Sequence, residues 1–264
     1  MELRPVTVKI ALVQTRIVWE DKGANFRTAE CIMQEQSDRG IEAVFFPEMS
    51  FTGFSMNTAV TGETDRYTVK KISSLAKANN INIGFGWVEN TEAKSKNWYS
   101  VVGRSGVEIS SYAKIHPFSY SGEDKCFAGG DELSVFSIEG VLFSTFICYD
   151  LRFPELFRAV ADKVHAIIIP ACWPAKRSEH WKTLLRARAI ENQVYVFAVN
   201  CVGDIGGQYY SGDSCIINPN GDIMKMLSNK EGVITYDFED DVDKYRKQFP
   251  VLNDRRNELY RILS

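Results

Sequence analysis

The sequence predicts an α/β protein, a four-layer α-β-β-α sandwich in which two mixed sheets lie face to face with helices outside. Two observations carry that expectation. The element order β-α-β-α-β-β-β is read once from about residue 6 and again from residue 141, an internal pseudo-two-fold repeat. In each half, helical spacing of apolar residues alternates with short apolar strands and then gives way to hairpins, as a mixed sheet requires. The second strands match in pattern, A-V-F-F-P against A-I-I-I-P, with little other identity. The 264 residues are read as a single domain, with a core over about 5–238 and a C-terminal arm over 239–264 placed at a subunit interface.

The first half opens with V-T-V-K-I-A-L-V-Q-T, a strand over 6–15, followed by a helix over 23–39 in which Phe26, Ala29, Ile32 and Met33 share a face and Gly40 is the stop. A short apolar strand over 43–46 is cut off by Pro47-Glu48. After a polar loop comes a helix over 66–78 with Val69, Ile72, Leu75 and Ala76 on one side, then the alternating strand I-N-I-G-F-G-W-V over 81–88. Strands over 98–103 and 107–114 are joined at R-S-G as a hairpin. The second half repeats this with a strand over 141–148, a helix over 154–162 that tolerates Pro154 only in its first turn, and a strand over 166–169 ended by Pro170. A helix over 178–192 and strands over 195–200, 212–217, 222–227 and 232–237 complete it, with N-P-N-G as a turn. Residues 115–140 form a long polar link that is a candidate lid. The arm carries scattered apolar residues such as Val242, Tyr245 and Phe249 in a charged segment, which suits packing on a partner subunit.

Apolar residues at 45% and charged residues at 25% are ordinary for a globular chain. With Lys plus Arg at 31 against Asp plus Glu at 34, the net charge of −3 gives no electrostatic case for nucleic acid or an anionic membrane. No apolar run approaches transmembrane length, and the start has no signal-peptide pattern. Six dispersed cysteines without a CxxC read as reduced thiols in a cytoplasm. Three histidines without close Cys spacing argue against a metal, and a site assembled from Cys148, Cys172, His116 and His180 is the remote alternative.

Sites in open α/β sheets form at the carboxyl ends of strands. Glu48, Lys114, Cys148 and Cys172 all fall there. A carboxylate, an amine and a thiol converging on one face supply a base, a cation and a nucleophile. Cys148 is placed at a strand-to-helix junction, where unpaired N–H groups and the helix dipole favour a thiolate and later an oxyanion. Cys172 reads as structural. His116, two residues past Lys114, stays open as an alternative base.

The segments F-F-P-E-M-S, Y-A-K-I-H-P-F and I-C-Y-D-L-R-F-P-E, in that order, resemble the three signatures of the nitrilase superfamily of carbon–nitrogen hydrolases. The resemblance spans nearly the whole chain. It implies the same sandwich, no cofactor and no metal, assembly into a homodimer or larger homo-oligomer, and a positioning role for Glu123 in S-G-E-D. The segments S-F-T-G-F-S-M, C-Y-D-L-R-F-P-E and R-A-R-A-I-E-N-Q most resemble the ω-amidase branch, which implies a small carboxylated ω-amide as substrate.

On that reading Glu48 takes the Cys148 proton, the thiolate attacks the amide carbonyl, and Lys114 with the Tyr149 N–H holds the oxyanion. Arg152 is suited to a substrate carboxylate by bidentate geometry, or to an internal pair with Asp150 or Glu155; the resemblance favours the ligand role. Phe118, Tyr120 and Trp173 are candidate pocket walls. Nitrile, carbamoyl or deaminated-glutathione hydrolysis would use the same trio, and a non-catalytic interaction module is the alternative of a different class.

Overall fold

A computed structural model describes residues 7–263 of the chain; Val6 and the start of the expected 5–238 core lie outside the described residues. The first half runs β1 (Thr7–Gln14), α1 (Lys22–Asp38), β2 (Ala43–Phe45), α2 (Thr58–Thr61), β3 (Gly62–Glu63), α3 (Tyr67–Asn79), β4 (Asn82–Glu89), β5 (Lys96–Val102) and β6 (Glu108–Ala113). Next come α4 (Glu123–Cys126), β7 (Phe136–Ile138), β8 (Val141–Thr145), α5 (Pro154–Val160), β9 (Ala166–Ala171) and α6 (Ser178–Asn192). The chain continues through β10 (Tyr195–Asn200), β11 (Val202–Ile205), β12 (Gln208–Ile217), β13 (Ile223–Ser228) and β14 (Gly232–Glu239), and then α7 (Val242–Gln248) and α8 (Asn257–Leu263).

Strand alternation assigns the layers. On β1, Val8, Ile10 and Leu12 face the core between the sheets, and Ala11 and Val13 face the outer helices. Phe26, Ala29 and Met33 of α1 join Val69, Ile72 and Ala76 of α3 on that outer face, so the two expected helical stripes meet the same side of one sheet. The other sheet is covered by α5 and α6 through Phe157, Leu185 and Ala189. Both sheets are mixed: β1, β2 and β4 run parallel and β4, β5 and β6 antiparallel, while β8, β9 and β10 run parallel and β10 and β12 antiparallel.

The last strand departs from the repeat. β14 leaves its own half and pairs antiparallel with β1 along eight residues, Thr7↔Glu239 through Gln14↔Gly232, so the sheet order is β14-β1-β2-β4-β5-β6. Phe238 then reaches across the sandwich to Phe143, Tyr195 and Phe197 of the other sheet. Gln14 makes a second tie, accepting the Ser214 N–H at 3.0 Å and donating to the Lys230 carbonyl at 2.8 Å. Gly212, at φ +72°, has to lack a Cβ because that atom would fall 2.3 Å from the Gln14 side chain.

Other differences are local. Pro170 does not end its strand: it sits inside β9 opposite Val199 of β10. The Ile168 carbonyl is bonded to the Phe146 N–H, so residue 170, two further on, turns its missing N–H toward the side that β8 has already left. β11 and the first part of β12 form a hairpin over Gly206-Gly207, whose positive φ values suit a two-residue turn. The segment expected as one long strand and helix around Cys148 divides into β8, a 3-10 segment Cys148–Arg152, and α5 with Pro154 in its first turn.

The arm begins as part of its own chain. Val242 is fully buried, Arg246 donates to the carbonyls of Ala161 and Val164, and the Tyr195 hydroxyl bonds to Asp241. No helix among the described residues is long and apolar enough to cross a membrane.

Candidate active site

Three strand ends and the link converge on one buried cluster. Lys114 follows β6 directly, Cys172 follows β9 directly, and Glu48 stands three residues past β2. The Glu48 loop is pressed against β4 at Gly86, where a Cβ would sit 2.3 Å from the Met49 nitrogen. Ser50 closes the contact by donating to the Pro47 carbonyl and accepting from the Gly86 N–H. The link is folded rather than loose. Its α4 opens with Glu123, fully buried, whose Oε2 accepts the Phe118 N–H at 2.5 Å.

The Lys114 ammonium lies 2.8 Å from Glu48 Oε1 and 2.8 Å from Glu123 Oε2. Burial alone would pull the ammonium down, but Glu123 and Glu48 outweigh it and hold Lys114 protonated. Burial raises the Glu123 carboxyl, with Lys114 opposing and Glu48 adding to the rise. The Glu48 Oε2 accepts the backbone N–H of Cys172 at 3.0 Å, and the Cys172 thiol donates to the Glu48 carbonyl at 3.3 Å.

Cys148 is held on a left-handed backbone, φ +46°, at the head of the 3-10 segment. That conformation is strained for a residue with a Cβ and needs support from its surroundings. Asp150 provides it: one carboxylate oxygen accepts the Ile147 N–H and the Tyr112 hydroxyl, the other contacts the His116 N–H and Nδ1. The expected dipole-stabilised thiolate does not match this geometry, because a five-residue 3-10 segment separates Cys148 from the start of α5. Burial pushes the Cys148 thiol up, and so does Glu48, within hydrogen-bonding reach, against the opposing pull of Lys114. Cys148 is therefore a thiol beside a carboxylate.

Cys148 opens onto a cavity of about 220 Å³. Phe118, Tyr149, Arg152 and Trp173 line it; Tyr120 does too, but from the mouth, where it is 81% exposed. Arg152 is not paired with Asp150, whose oxygens are taken. Its guanidinium lies 4.7 Å over the Trp173 ring and donates to His180 Nδ1 at 3.3 Å. His116 is tied to Asp150 and stacked 3.6 Å from Phe153, outside the residues that line the cavity, which removes it as an alternative base. Among the described residues no group of three or more His, Cys, Asp or Glu side chains is arranged to hold a metal ion.

Four contributors, Asn97, Asp150, Lys176 and Arg177, were not singled out as site residues from sequence. Asn97 bonds to both Glu48 and Glu123. Asp150 entered only as a partner for Arg152. Lys176 and Arg177 line the cavity just before α6, and the Arg177 guanidinium lies 5.2 Å over the Phe118 ring. Cys172, read as structural, also lines the cavity.

The carbon-nitrogen hydrolase family model matches residues 9–247. An omega-amidase YafV from Yersinia enterocolitica is 34% identical over 94% of this chain and 96% of that protein. A 2-oxoglutaramate amidase from Bacillus subtilis is 31% identical over 95% of this chain and 98% of its own length. The crystal structure of XC1258 from Xanthomonas campestris, a CN-hydrolase superfamily protein with an arsenic adduct in the active site, superposes with a TM-score of 0.89 at 30% identity, covering 95% of this chain and 98% of that one.

Proposed function

The chain belongs to the carbon-nitrogen hydrolase family as an amidase of the nitrilase superfamily, and we propose that it hydrolyses the terminal amide of a small carboxylated ω-amide of the 2-oxoglutaramate or succinamate type. The observation that carries the substrate class is the cavity itself: the Cys148 thiol and the Lys114 ammonium line it, with two carboxylates on Lys114 behind them, and Arg152, Lys176 and Arg177 stand around it. Burial and the neighbouring Arg177 pull Arg152 down, and no carboxylate is among the charges acting on it. A substrate carboxylate would relieve that crowding of like charge. The names of the relatives point the same way.

Glu48 accepts the Cys148 proton as Sγ attacks the amide carbon. The oxyanion is held by Lys114 Nζ–H and by the Tyr149 N–H, which sits in the first turn of the 3-10 segment without an intrahelical acceptor. Such a donor contributes about 3 kcal/mol to the transition state. Glu48 passes the proton to the leaving nitrogen, ammonia departs, and a thioester remains on Cys148. Water, deprotonated by Glu48, attacks the thioester; the acid leaves and the thiol is re-formed. Glu123 acts here by fixing Lys114. The six free cysteines, four of them buried, support a cytoplasmic setting. Exposed Ile190, Phe249 and Tyr260 on α6 and the arm support self-association, which light scattering tests.

The test is ammonia release from 2-oxoglutaramate, succinamate and the neutral amide butyramide by wild type and Arg152→Ala. The two anionic amides are expected to turn over, and the substitution to raise their KM roughly 10- to 100-fold, the cost of a charge-assisted contact, with little change for butyramide. Equal KM changes for charged and neutral amides would overturn the substrate assignment.

A further inference from the structure

Asn97 touches three of the five residues assigned to the reaction. It lies on β5 opposite Val88. The two hydrogens of its amide nitrogen are both engaged, at 2.8 Å to Glu48 Oε1 and 3.1 Å to Glu123 Oε1. Its backbone carbonyl accepts the Lys114 N–H at 2.9 Å. The side chain is 2% exposed and its Oδ1 is buried without a hydrogen-bond partner. An orphaned buried carbonyl carries a desolvation penalty, yet turning the amide over would aim that oxygen at two carboxylates. The acids therefore fix the orientation of the amide.

The charge count explains why such a donor is needed. Two carboxylates share one ammonium, and Lys114 meets both oxygens of Glu123 as well as Glu48 Oε1. The other groups facing the pair are Cys148 in the 3-10 segment, Cys172 after β9 and Tyr210 on β12, and none of them is cationic. Cys172 gives a backbone N–H to Glu48 Oε2 and Phe118 one to Glu123 Oε2. Asn97 supplies the remaining donors, on the Oε1 oxygens that face each other.

We infer that Asn97 is a positioning residue of the amidase reaction: by giving one N–H to each carboxylate it offsets the repulsion between the two acids and fixes Glu48 in place as the base. Lys114, relieved of satisfying Glu123 Oε1 alone, keeps an N–H for the oxyanion. A hydrogen bond donated to a carboxylate favours its ionised form. Its removal makes the pair, titrating as a unit, take up a proton at higher pH. The inference rests on the amidase reading, and its test separates the two.

Asn97→Ala and Asn97→Ser, made in the full chain, are compared with wild type in kcat and KM for 2-oxoglutaramate from pH 5 to 10. The rate of Cys148 alkylation by iodoacetamide is followed by mass spectrometry over the same range. In the alanine variant kcat on the acid side of the profile is expected to fall by up to about tenfold, the most a one-unit displacement gives, with KM within about threefold. The acid limb of the profile moves up by about one pH unit, so the deficit shrinks as pH rises. Serine keeps one hydrogen to donate and moves the limb about half as far. The alkylation profile shifts in step and reads the same displacement even if 2-oxoglutaramate is not a substrate. An acid limb that stays at the wild-type position in whichever variant folds overturns the assignment, whatever the loss in kcat.

Discussion

Cys148 and Cys172 follow successive strands of the same half and line the same cavity. Both are buried, and both thiols are pushed up, Cys148 chiefly by burial and Cys172 chiefly by its hydrogen bond with Cys201. What separates them is which atom meets Glu48. Cys148, on a left-handed turn, presents its sulfur to the carboxylate as a proton to be taken. Cys172, running straight off β9, presents its N–H to the carboxylate and its S–H to the Glu48 carbonyl, so it is a clamp on the base. Residue type and burial are alike, and backbone direction assigns the chemistry.

The sharpest break of that comparison is removal of each thiol in turn. Cys148→Ala should lower kcat/KM by about 10⁴-fold or more, the cost of losing a nucleophile. Cys172→Ala keeps the backbone N–H on Glu48 and should stay within about fivefold of wild type. Comparable losses would mean that the clamp takes part in the reaction.

Next in size is Lys114→Met, which removes the cation between two buried carboxylates. Breaking a buried pair in this way costs about 3 to 5 kcal/mol of stability. A fall of that size in a urea titration is expected, together with loss of the rate advantage of Cys148 over Cys172 toward iodoacetamide. Retention of that advantage would show that the carboxylate alone distinguishes the two sulfurs.

The smallest effect is one the two thiols should share. The native state keeps both protonated well past the pH near 8.5 at which an unfolded cysteine ionises, so the unfolded state binds fewer protons there. Stability contributed by each thiol is thus fully present below about pH 8.5 and declines above it, by about 1.4 kcal/mol per pH unit per thiol. Cys148→Ser and Cys172→Ser should flatten the alkaline fall of the melting temperature by similar amounts, despite their unequal effects on turnover.

The interior of the sandwich was legible because period-2 and period-3.6 patterns report burial directly. α6 and β10 fall where their apolar spacing put them, and the helices α1 and α3 bury the stripes they display. The partner of β14 was not legible. G-V-I-T-Y-D-F alternates well against either sheet, and only the whole three-dimensional arrangement chooses β1. Pro170 misled for a similar reason: a missing N–H ends a strand only where a neighbour needs it, and β8 stops short. Glu48, Lys114 and Cys148, which the structure brings together, were legible as a cluster because titratable residues at strand ends are few. Asn97 and Asp150 carry no such mark, since their importance lies in the geometry of bonds to residues far along the chain, from 26 to 49 positions away.

The pairing of β14 with β1 also bears on how the chain comes to exist. One edge of β1 stays open until residues 232–239 have left the ribosome, more than two hundred positions after β1 itself. Emerging from the ribosome, the N-terminal half is thus a sheet with an exposed hydrogen-bonding edge, of the kind that invites pairing with other chains. Its own last strand is the cover that edge awaits. A chain cut between the two halves of the repeat would not yield two smaller folding units, because the second half retains the strand that completes the first half's sheet.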